Sequence, residues 1–94
     1  MAIADIRSAS VRQLEAWSRE NDYDIEVTAK EGKPSLWVVT LSSVRDRRKF
    51  SHSSYQQIVS GEPGRVEASA LTAYADALTG AVAKALSFVG RLSS

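Results

Sequence analysis

Four groups of residues in this 94-residue chain have the type and spacing to do chemistry. The densest is "RDRRK", in which Arg45, Arg47, Arg48 and Lys49 stand almost side by side. Guanidinium and ammonium groups so close together suit phosphates or an acidic protein surface, and Arg65 and Lys33 are candidates to extend the patch. The second group is "SHSS", where His52, the only histidine, is flanked by Ser51, Ser53 and Ser54. A serine–histidine pair needs converging side chains and an orienting carboxylate. Adjacent residues on a strand point to opposite faces, so these neighbours read as surface groups. The third is the acidic series Asp22, Asp24 and Glu26, which could serve acid–base work or hold a hard cation. No calcium-loop pattern accompanies it, and the simpler reading is a charged guard on an edge strand. The fourth is the glycine set Gly32, Gly61 and Gly64. "GEPG" lacks the GK[ST] ending of a phosphate loop and there is no GxGxxG, so these read as turn glycines. Gly64 does precede the last helix, whose N-terminus offers weak anion affinity.

Composition narrows the field further. With no cysteine, disulfides, thiolate metal sites and cysteine nucleophiles are excluded together. With one histidine and no cysteine, a zinc site is not expected. No nucleophile, base and orienter can be assembled, so we expect no enzyme, no metal, no cofactor and no small-molecule substrate. No apolar run approaches the roughly 18 residues of a membrane span. Asp5 and Arg7 interrupt the stretch that a signal peptide would need, so the expected compartment is the cytoplasm. The net charge of +1 conceals an uneven distribution. Residues 1–30 hold four basic and six acidic groups, residues 31–65 six basic and three acidic, and the remainder balances. The chain carries one basic cluster and is not a basic protein.

The elements that must position these groups follow from periodicity. Ile3, Ile6, Ser10, Leu14 and Trp17 recur at helical spacing and predict a helix over 3–21. Ser10 with Gln13 matches a capping box, which would start the firm part at Val11. "YDIEVTA" (23–29) alternates as a half-buried strand. "KEGKP" (30–34) is a loop, and "SLWVVTLS" (35–42) is a second strand joined to the first as a hairpin. "RRKFSHSSY" (47–55) predicts a third strand anchored by Phe50, and 56–64 is irregular or a single helical turn. Residues 65–90 form one long helix with a stripe of Leu71, Tyr74, Leu78, Ala81, Ala85, Phe88 and Leu92 beside a second of Val82, Leu86 and Val89. Thr79-Gly80 is the place where this helix could break, since glycine costs about 1 kcal/mol in a helix interior. The expectation is a single α+β domain over 1–94: helix, three-stranded antiparallel meander, long C-terminal helix (α-β-β-β-α), with both helices on one face of the sheet.

That architecture leaves apolar surface to account for. A helix of about 26 residues is roughly 39 Å long at ~1.5 Å per residue, and strands of about seven residues reach roughly 23 Å. The surplus falls on Val82, Leu86, Phe88, Val89 and Leu92, while Leu36 and Val38 occupy the second face of the middle strand with no cover. Each large side chain left wet forgoes roughly 1.5–3 kcal/mol. Self-association through these seven residues is therefore expected, against the alternative of a tail that folds back or frays.

The element order resembles that of the double-stranded RNA-binding domain, a family that reads RNA shape with basic residues at the start of its last helix. The matching stretch here, "GRVEASALTAYADAL", has Arg65 alone and places acidic Glu67 beside it. The expected function is a non-catalytic small regulator or inhibitor that binds another macromolecule as a homodimer, in the style of the antitoxins, immunity proteins and anti-defence proteins of bacteria and their phages. A protein partner is favoured. The alternative is a nucleic-acid-binding dimer that uses residues 45–49 from two copies.

Overall fold

The computed structural model describes residues 9–58 and 61–93, with side chains through Phe88. The chain runs α1 (Val11–Glu20), β1 (Tyr23–Lys30), β2 (Leu36–Ser43), β3 (Lys49–Tyr55) and α2 (Pro63–Ser93). The three strands form an antiparallel sheet in the order β1-β2-β3. This is the expected α+β meander between two helices.

The start of α1 is fixed locally. Ser10 is extended; its hydroxyl accepts the Gln13 N–H, and the Gln13 side chain accepts the Ser10 N–H. This reciprocal cap satisfies two otherwise orphaned donors, so the described helix begins at Val11. The expected helical positions Ile3 and Ile6 lie outside the described residues. The third strand begins at Lys49 and not at residue 47, because Arg47 adopts a positive φ of 62° that no strand allows. The second helix starts earlier than expected, at Pro63, where a missing N–H costs nothing in the first turn.

The strand pairings set the faces of the sheet. Trp37, Val39 and Leu41 share one face with Tyr23, Ile25, Val27 and Ala29 of β1 and with Phe50, His52 and Ser54 of β3. This face meets the helices. Val39, Leu41, Leu14, Trp17, Ala77, Leu78, Ala81, Val82 and Ala85 form the buried core. The buried side of α2 is largely alanine, with Ala73, Ala77, Ala81 and Ala85 closing on the sheet. The expected stripe was displaced at its start: Leu71 is 67% exposed, and the alanines at 73 and 77 hold the contact instead. Four small side chains let a helix backbone approach a sheet closely, which large ones would prevent.

Thr79-Gly80 does not break α2, which runs unbroken for 31 residues. At ~1.5 Å per residue it spans about 46 Å, matching the 48 Å long axis of the molecule. Its fully buried positions lie near its middle, so the surplus length is shared between the two ends. Among the described side chains the uncovered end is N-terminal, where residues 63–68 are all exposed.

Candidate binding surface

The opposite sheet face is made by Leu36, Val38, Thr40 and Ser42 of β2, flanked by Asp24, Glu26, Thr28 and Lys30 of β1 and by Lys49, Ser51, Ser53 and Tyr55 of β3. No described element packs on it. Leu36 and Val38 are half-buried, and Tyr55 is 64% exposed. Thr40 and Ser51 tie β2 to β3 across the face through a 2.8 Å hydroxyl contact. The face is therefore a flat mixed surface with an apolar centre, an acidic start on β1 and Lys49 on the far side. Tyr55 belongs to it by simple alternation from Ser51 and Ser53, a signal already present in the sequence.

The remaining expected self-association residues lie elsewhere. Val82 is fully buried in its own chain's core, and Leu86 packs partly buried against that core. Phe88 closes an aromatic row that crosses one end of the helix-side face. Trp17 stacks on Tyr23 at 5.8 Å, Tyr23 meets Phe50 edge-on at 6.0 Å, and Phe50 meets Phe88 at 5.7 Å. The Arg48 guanidinium caps the row 4.0 Å above the Phe88 ring. The surplus expected at Val82, Leu86 and Phe88 is thus absorbed within the chain, because α2 is centred over the sheet. The side chains of Val89 and Leu92 lie outside the described residues.

The basic cluster is built into the β2–β3 turn. Arg45 pairs with Asp22 at 2.7 Å, and Arg48 with Asp46 at 3.1 Å. The Asp46 carboxyl also accepts the Arg48 backbone N–H at 3.2 Å. That bond, then the Ser43 hydroxyl, holds its carboxyl below the ordinary carboxylate range. Arg65 sits 3.6 Å from Glu62 at the start of α2, far along the chain from the cluster. Among the described residues Arg47 and Lys49 have no ion-pair partner. Lys33 is exposed in the β1–β2 loop and lines a shallow depression of about 370 Å³ with Pro34, Gln56, Ile58 and Val66.

The acidic series is split by the fold. Asp22 turns the chain between α1 and β1 with φ 61° and engages Arg45, while Asp24 and Glu26 lie exposed on the open face. Among the described residues no group of three His, Asp or Glu side chains could hold a metal ion. His52 faces the helices, with its ring laid against Gly80 of α2. Its serine neighbours Ser51 and Ser53 occupy the opposite face.

One link between sheet and helix was not legible in the sequence. The Gln56 amide accepts the Trp37 indole N–H at 3.0 Å and donates to the Val66 carbonyl and the Ser69 hydroxyl at 3.2 and 3.0 Å. It fastens the end of the sheet to the first turns of α2. No helix among the described residues is long and apolar enough to cross a membrane. Set against protein-family models, curated proteins and solved structures, the chain matches none.

Proposed function

We propose that this protein is a non-catalytic regulator or inhibitor that works as a homodimer and binds another macromolecule, a protein, through its open sheet face. The observation that carries the reading is that no described element packs on this face, where half-buried Leu36 and Val38 lie beside exposed Tyr55. Apolar and aromatic side chains ringed by hydroxyls and a few charges are the composition of a protein-binding patch. Two of the four cations in the 45–49 cluster are engaged by the chain's own carboxylates, and a net charge of +1 gives little long-range pull on a polyanion. Both points favour a protein over nucleic acid.

The test is capture from a native host extract by the wild type and by Val38→Asp, each with and without nuclease. The expected result is a discrete protein that survives nuclease and is lost with Val38→Asp, whose circular dichroism stays that of the wild type. A catch that disappears with nuclease would favour the nucleic-acid reading. Arg47→Ala with Lys49→Ala should then weaken a gel shift across all sequences. A catch retained by Val38→Asp would place the contact on another surface.

A further inference from the structure

The two edges of the sheet are not equivalent. The Val44 N–H donates to the Asp22 carbonyl at 2.9 Å, and the Ser43 N–H donates to the Arg48 carbonyl at 2.7 Å. Carried along the registers, these bonds assign every peptide group in the sheet. Asp24, Glu26, Thr28 and Lys30 bond inward to β2, while Ile25, Val27 and Ala29 direct their N–H and C=O groups off the free edge of β1. On β3 the odd-numbered residues point outward, and there Lys84 of α2 reaches over to bond the outward Ser51 carbonyl. No described group covers the β1 edge in this way. Nor does a described helix stand over its middle: α1 reaches the Tyr23 end, and Val27 is 45% exposed on the helix side.

We propose that the β1 edge is the homodimer interface, pairing antiparallel with β1 of a second copy about a two-fold axis at Val27. Charge and ladder length together select this register. With the axis at Val27, Asp24 lies opposite the second copy's Lys30 twice over, Glu26 opposite Thr28, Ile25 opposite Ala29, and Val27 opposite itself. An axis at Ile25 would set Asp24 against Glu26, and an axis at Glu26 would set that carboxylate against its own copy; like charges directly opposed are destabilising. An axis at Thr28 would also oppose unlike charges, Glu26 against Lys30, but it leaves Asp24 opposite Gly32, beyond the end of the strand, and cuts the ladder from seven residues (24–30) to five (26–30). The carboxylates expected to guard the edge thus disfavour the axes at Ile25 and Glu26 and complement the axis at Val27. Every outward N–H and C=O of Ile25, Val27 and Ala29 gains a partner, and exposed Val27 gains an apolar neighbour. Two three-stranded sheets become one continuous sheet, so the open faces of both copies form a single doubled surface.

This interface rests on the dimeric part of the function proposed above, and the experiment separates the two. Sedimentation at micromolar concentration is run on the wild type, Asp24→Lys, Lys30→Glu and an equimolar mixture of the two variants. Each single change sets like charges opposite each other at both pairs and should weaken the dimer roughly tenfold or more. The mixture places opposite charges at both pairs and should restore dimers, as heterodimers. As a register check, Val27→Cys should cross-link under mild oxidation, because hydrogen-bonded antiparallel partners stand about 5.5 Å apart at Cα, while Thr28→Cys should not. The chain has no other cysteine to confuse the result. A wild-type dimer indifferent to both charge reversals and unlinked by Val27→Cys would overturn the β1 interface and leave the dimer standing. A wild type that sediments as a monomer throughout would overturn both.

Discussion

Gly80 and His52 have to be understood together. A Cβ at position 80 would collide with the imidazole ring of His52, so the glycine is what lets α2 lie against β3 at that point. The helix tolerates it because the turn around it is otherwise sound, with the Thr79 hydroxyl bonded to the Ala75 carbonyl at 2.7 Å. Gly80→Ala should therefore lower stability by about 1–3 kcal/mol through overpacking. In a His52→Ser background the same change should raise it by about 1 kcal/mol, the ordinary gain of alanine over glycine in a helix. Urea denaturation of the four proteins in this cycle reads the difference in sign. From the sequence the glycine looked like a break, because the ring that explains it belongs to His52, far away in the chain; His52 itself is exposed, as expected of a surface group. Tyr74 poses a second residue-scale test. Its hydroxyl donates to Glu15 at 3.2 Å, and burial, followed by the Glu15 charge, pushes its pKa from 10.0 up to about 12. The folded chain keeps this proton at pH values where the unfolded chain has lost it. The resulting stability is fully present below pH 10 and is lost as pH rises toward about 12. Tyr74→Phe should cost about 1 kcal/mol near neutrality, and its deficit relative to the wild type should shrink across that alkaline window in pH-resolved chemical denaturation.

Among the elements, those with strong periodicity were legible and those defined by tertiary contact were not. Strict alternation from Tyr23 to Ala29 marked β1, and the apolar run at 36–39 marked the central strand, because a strand's two faces are written directly into its sequence. The long helix was legible over 65–90, although it starts two residues earlier and runs through Gly80 without a break. Its buried side was misjudged at Leu71, since a hydrophobicity stripe favours large residues while close contact with a sheet favours the alanines at 73 and 77. The aromatic row and the Gln56 fastening join residues from separate elements and leave no local trace. The β2–β3 turn shows a different mismatch. It closes with the Arg47 N–H bonded to the Ser43 carbonyl at 3.1 Å and Arg47 itself at φ 62°. That left-handed conformation costs a side-chain-bearing residue roughly 1–2 kcal/mol, and glycine adopts it freely. After the added chain entropy of glycine is deducted, Arg47→Gly should stabilise the fold by about 0.5–1 kcal/mol. The urea midpoint should rise with an unchanged m-value. The same variant removes an unpaired cation of the 45–49 cluster, so a gain in stability with no loss of partner capture would show that this arginine is not required for binding.

For the whole molecule, the decisive question is how a three-layer problem is solved with two layers. Among the described residues the helices shelter one face of the sheet and Lys84 bonds one outward carbonyl of the β3 edge, while nothing packs on the other face or along the β1 edge. Lone three-stranded sheets with one helical layer are stable enough to fold, but a free edge eight residues long invites pairing with another chain. Amide hydrogen exchange, residue by residue, separates the states of that edge. In the single chain the Glu26 and Thr28 amides donate into β2 and should exchange slowly, while those of Ile25, Val27 and Ala29 face solvent and should exchange fast. Pairing at β1 slows those three and leaves the outward amide of Ser53 on β3 fast. Raising the protein concentration through the dimerisation range should therefore convert an alternating pattern on β1 into uniform protection, with the midpoint matching that from sedimentation. If concentration slowed Ser53 and left Val27 fast, β3 would be the pairing edge. If neither changed while the molecule still sedimented as a dimer, the copies would meet through faces and not edges. Protection along the open face's strands would stay as it is in the single chain, because those amides lie in the sheet plane and already have partners in it.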